Sequence, residues 1–89
     1  MYISAKQLSQ ELYTAKDIKI GDELSYKSDE IEYTISLDDG RIVKTPGFEI
    51  FAFNIDDVKF KRVNNCIYML VEREEQEYSF LIGTIYEII

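Results

Sequence analysis

The residues best suited to chemistry in this chain are its carboxylates. Asp38-Asp39 and Asp56-Asp57 are adjacent pairs, and Glu72, Glu74, Glu75 and Glu77 crowd around Arg73. Paired carboxylates can hold Mg²⁺ or Ca²⁺, or divide acid–base work between them. The spacing favours neither use. No D-x-D-x-D-G loop is present, and neighbouring Asp side chains in a strand point to opposite faces. Asp also bonds its own backbone at turns, so each pair reads as a turn that opens the next strand. The chain has no histidine and a single cysteine, Cys66. That removes the commonest general base, the histidine-assisted nucleophiles and most transition-metal sites. None of the four glycines has phosphate-loop spacing. The expectation is a protein that is not an enzyme, with no metal site and no cofactor.

Two charged features remain as candidate contact surfaces. The acidic run from Glu72 to Glu77, joined by Asp56 and Asp57, could present phosphate-like charge to a basic partner. The alternative is a solvated loop between two apolar strands, which would block edge-to-edge aggregation. Lys59, Lys61 and Arg62 form a small basic stripe beside Tyr68, and base stacking plus charge can bind nucleic acid. A net charge of −7, spread evenly along the chain, opposes phosphate-backbone binding and docking on an anionic membrane. Seven tyrosines exceed what a small core needs, and tyrosine is favoured at interfaces. The candidate partner-binding residues are Asp56, Asp57, Glu72, Glu74, Glu75, Tyr68 and Tyr78.

These side chains must be positioned by a single domain spanning 1–89, since 89 residues leave no room for two. Ser4 and Gln7 fit a capping box, and Ile3 and Leu8 fit a hydrophobic staple. Ala5, Leu8, Leu12 and Ala15 then recur at helical spacing, which predicts a helix over about 5–15. Strand patterns follow over about 18–89. Gly21-Asp22 marks a turn between Ile18/Ile20 and Leu24/Tyr26. Ile31, Tyr33, Ile35 and Leu37 alternate with polar residues, and Asp39-Gly40 suits a type I′ turn that sets Leu37 opposite Ile42. Pro46-Gly47 suits a type II turn. "FEIFAFNI" slips phase, which signals a bulge or a strand buried on both faces.

"DDVKFKRVNNCIYMLVER" is the clearest hairpin. An Asn64-Asn65 turn pairs Val63 with Cys66, Phe60 with Met69 and Val58 with Val71. Val58, Phe60, Ile67, Met69 and Val71 then share one inward face. The same register sets Asp57 opposite Glu72, where like charges cost stability. A cation, a partner's Lys or Arg, or a frayed strand end would offset that cost. "EYSFLI" and "TIYEII" read as two closing strand runs hinged at Gly83.

The expected fold class is α+β: one N-terminal helix followed by an antiparallel sheet of five to seven short strands, curled or partly closed as a small barrel. The expected function is a non-enzymatic protein-binding module for a partner with a basic surface. Short, acidic, single-domain and non-catalytic, the chain resembles in type the small phage and mobile-element inhibitors that cover nucleic-acid-handling host proteins. Two alternatives stand beside this. One is self-association as a homodimer through the apolar C-terminal strand, and the other is a small nucleic-acid-binding barrel using Lys59, Lys61, Arg62 and Tyr68. One cysteine and no apolar run of membrane-spanning length suggest a reducing, cytoplasmic setting.

Overall fold

The computed structural model describes residues 5–84. A helix, α1 (Ala5–Tyr13), precedes eight strands among the described residues. These are β1 (Lys16–Ile20), β2 (Leu24–Ser28), β3 (Ile31–Asp38), β4 (Arg41–Thr45), β5 (Glu49–Ala52), β6 (Asp57–Val63), β7 (Cys66–Arg73) and β8 (Gln76–Thr84). The α+β class holds. The arrangement within it is two antiparallel sheets, β1-β2-β3-β4-β5 and β6-β7-β8, and the described residues form no closed barrel. Within each sheet consecutive strands pair antiparallel, as short hairpin connections allow, and the connection from β5 to β6 passes between the sheets.

The predicted turns set most of the register. Asp39 and Gly40 both take positive φ, as a type I′ turn demands, and Leu37 faces Ile42. The Asn64-Asn65 turn places Val63 on Cys66, Phe60 on Met69 and Val58 on Val71. The phase slip in "FEIFAFNI" is a bulge. Ile42 and Val43 are adjacent but face Ala52 and Ile50, so Phe51 is the extra residue. Phe51 and Ala52 are consequently both buried. Gly47 takes the positive φ expected after Pro46, but Phe48 is left-handed too, so the connection is longer than a two-residue type II turn.

Several expectations need correction. The helix ends at Tyr13 and not near Ala15, since β1 already begins at Lys16. Eight strands replace five to seven because two further tight turns, at Asp29-Glu30 and Glu74-Glu75, cut the chain without glycine or proline. Ile31 and Leu37 are 45% and 36% exposed, because β3 is eight residues long and overshoots the core at both ends. Gly83 is no hinge: β8 runs through it to Thr84, with a register shift beside it. The capping box, the staple and most of "TIYEII" rest on residues outside those described.

One core joins the layers. Leu24, Tyr26, Ile35 and Ile42 come from the first sheet, and Val58, Phe60, Ile67, Met69, Val71 and Ile82 from the second. Leu8 and Leu12 of α1 complete it, and burying each contributes about 1.5–3 kcal/mol. Leu12 sits within 3.5 Å of where a Gly83 Cβ would stand, so α1 packs directly on β8. The sheets also meet at an edge, where the Phe60 N–H donates to the Gly21 carbonyl at 3.2 Å.

A polar cluster clamps the helix to the first sheet. The Tyr26 hydroxyl donates to Glu11 Oε2 at 2.6 Å, and Lys44 Nζ donates to Glu11 Oε1 at 2.9 Å. Lys44 also pairs with Glu49 at 3.3 Å, and Gln7 Nε2 donates to Glu49. The ammonium lies 4.7 Å above the Tyr33 ring. Burial alone would lower the Lys44 pKa, but the bonds to Glu11 and Glu49 outweigh it and leave it raised. Burial, with the bond to Glu11, pushes the Tyr26 hydroxyl far above its ordinary value.

Candidate interaction surface

The face of β6-β7-β8 opposite the core carries most of the predicted site. Val58, Phe60, Met69 and Val71 point inward, so their strand neighbours point outward. Register arranges those neighbours in rows across three strands. Asp57 faces Glu72, and Glu72 faces Glu77. The next row is Lys59, Leu70 and Ser79, and the one after it is Lys61, Tyr68 and Leu81. The face thus grades from three carboxylates at one end to lysine, tyrosine and leucine at the other. Leu81 is 56% exposed, whereas Tyr68 and Leu70 are half-buried.

Glu77, the first residue of the "EYSFLI" strand run, completes the acidic row. The run from Glu72 to Glu77 is a tight two-residue turn in which Glu74 and Glu75 have φ of 51° and 65°. Glu72 and Glu77 are therefore paired strand residues. A groove of about 290 Å³ runs over Asp57, Leu70, Glu72, Glu77 and Ser79. A second groove joins Asp57 to Asp22 and Glu23 at the β1–β2 turn. Asp57 stands where the two grooves meet. The contact between Phe60 and Gly21 that brings Asp22 and Glu23 there is long-range and left no local signal.

The strand end is not frayed. The Asp56 N–H donates to the Glu72 carbonyl at 2.9 Å, which extends the pairing past Asp57. Lys59 Nζ lies 4.0 Å from Asp57 Oδ2, a solvent-exposed pair of the kind that contributes little. The acidic row is thus held in register with weak internal compensation. Among the described residues, no group of His, Cys, Asp and Glu has the arrangement of a metal site.

Other predicted residues divide. Asp56 sits at the acidic end, but its carboxylate accepts the Glu74 N–H at 2.9 Å and serves the turn. Glu74 and Glu75 project from that turn and are exposed. Tyr78 faces Val71 in register, out of the row of Glu72 and Glu77, but it still lines the edge of the groove over them. Lys59 and Lys61 share the outward face with Tyr68, as expected, but Arg62 does not. Its guanidinium donates to the Asn64 carbonyl at 2.7 Å and to Asn65 Oδ1 at 3.2 Å. The basic stripe is therefore two lysines, one beside the acidic row. Asp38 ends β3 in an ion pair with Arg41 at 3.2 Å, and Asp39 is a turn residue, so that pair is structural.

Tyr2 and Tyr86 fall outside the described residues. Of the tyrosines within them, Tyr26 and Tyr33 stack with ring centroids 5.7 Å apart and serve the core. Tyr13 is 83% exposed. No helix among the described residues is long and apolar enough to cross a membrane. No family model matches the chain, and neither the curated proteins nor the solved structures yielded a match.

Proposed function

We propose that the protein is a non-enzymatic binding module that engages a partner with a basic surface through the outward face of β6-β7-β8. The observation that carries this reading is the row Asp57, Glu72 and Glu77. Three carboxylates stand on adjacent strands, about 5 Å apart from strand to strand. Holding like charges in register costs stability, and a partner's arginines or lysines would offset that cost. Leu70 and Tyr68, next along the face, supply apolar area beside the charges, as contact surfaces do. Asp22 and Glu23 extend the negative field and would steer a cationic partner toward the face. A sharper form of the reading is an inhibitor, of the phage or mobile-element kind, that covers the nucleic-acid-handling surface of a cytoplasmic host protein.

The test is affinity capture from lysate, run with the natural sequence and with an Asp57→Lys/Glu77→Lys variant across a salt series. Capture that falls steeply with salt and is lost in the variant supports the reading. Capture that ignores both salt and charge reversal would sink it.

A further inference from the structure

We propose that the outward face of the three-stranded sheet is self-complementary and joins two copies of this chain in a two-fold symmetric dimer. Along β6 the face runs from Asp57 through Lys59 to Lys61, a span of about 13 Å. Place a second copy face to face, with the two-fold axis running across the strands over the central row. Each Asp57 then lies over the other copy's Lys61, each Glu72 over the other copy's Tyr68, and each Glu77 over the other copy's Leu81, so the Asp57–Lys61 pair carries the charge complementarity. Each contact occurs twice, as an isologous interface requires. Leu70 meets its own copy on the axis, with Lys59 in the same row, and the carboxylates lie toward the ends. An axis along the strands would instead set carboxylate on carboxylate. Charge therefore selects one of the two aligned sheet-on-sheet packings.

The two Lys59 side chains also approach each other near the axis. Each already leans toward its own Asp57, at 4.0 Å, which limits the repulsion. The face is about 20 Å long and about 10 Å wide, counting from Asp57 to Val63 over three strands. That is well below the ~800 Å² a side of a standard interface, so the dimer is weak and depends on concentration. Pairing would cover the acidic row, so a basic partner and the second copy would compete for it.

The test uses the purified chain alone, so it can fail while partner binding stands. Sedimentation of the natural sequence from micromolar into millimolar concentration should show the average mass rising toward twice that of the monomer. Asp57→Lys and Lys61→Glu should each remain monomeric, because each sets like charges opposite one another. Mixing the two variants should restore the dimer, since both cross-pairs become complementary. The double variant D57K/K61E should dimerise by itself. A natural chain that stays monomeric throughout overturns the proposal, as do single variants that dimerise like the natural chain. Should either reversal unfold the domain by circular dichroism, Lys61→Gln replaces it, with the mass shift at a given concentration as the readout.

Discussion

The carboxylate of Asp56 accepts the backbone N–H of Glu74 at 2.9 Å, tying the β7–β8 turn to the start of β6. Its neighbour Asp57 stands in the outward row with Glu72. Two adjacent aspartates therefore have separate duties, one within the fold and one at its surface. Asp56→Ala is expected to lower stability by about 1 kcal/mol, the scale of an exposed hydrogen bond to a charged acceptor. Asp56→Asn keeps an acceptor and should recover part of that loss. Urea unfolding measures both, and charge reversal at Asp57, which turns its like-charge pairing with Glu72 into an attractive one, should raise the urea midpoint slightly.

Glu72 has an acidic register partner on each side. Replacing it with threonine removes two like-charge contacts and introduces a residue suited to strands. Glu72→Thr should raise stability by about 0.5 kcal/mol or more. The same change should weaken capture of a basic partner. A variant that is both less stable and fully competent in capture would contradict the role given to the row.

Glu74 and Glu75 both occupy left-handed backbone, which costs an ordinary L-residue about 1 kcal/mol or more. The turn is of the kind that favours Asn-Gly. The double change Glu74→Asn/Glu75→Gly should stabilise the domain by about 1 kcal/mol and raise the thermal midpoint. An unchanged or lower midpoint would mean that the glutamates make compensating contacts.

The clamp of Tyr26, Lys44 and Glu11 predicts loss of stability in alkali. Both Tyr26 and Lys44 have folded pKa values above their ordinary 10.0 and 10.5. The folded state therefore holds these protons more tightly than the unfolded chain. Their stabilisation is complete below the ordinary values and is lost as pH rises through the raised ones. Urea midpoints should hold steady up to about the ordinary tyrosine value of 10.0 and fall beyond it. Tyr26→Phe should cost about 1 kcal/mol near neutrality and make the alkaline decline shallower.

Legibility in the sequence followed the chemistry of the turns. Asp39-Gly40 and Asn64-Asn65 are residues that tolerate the required backbone, so both hairpins could be read residue by residue, including Asp57 opposite Glu72. Glu74-Glu75 and Asp29-Glu30 do not advertise a two-residue turn, so the sequence leaves the register of those two hairpins open, and with it the pairing of Glu72 with Glu77. The bulge at Phe51 was visible as a phase slip. The division into two sheets was not, because it depends on the contact of β6 with the β1–β2 turn. Glu11 and Lys44 meet across thirty-three residues of chain, and each alone looks like a surface charge.

The order of strand pairing bears on how the chain assembles. All strand neighbours in space are neighbours in sequence, so both sheets can zip up by local hairpins with little loop entropy lost at each step. The packing of α1 on β8 joins the two ends of the described chain. It can form only after β8 has been added to β7. With the contact of Phe60 on Gly21 between the sheets, it is one of the non-local steps in an otherwise local search, and long-range contacts of this kind are the slow ones to form.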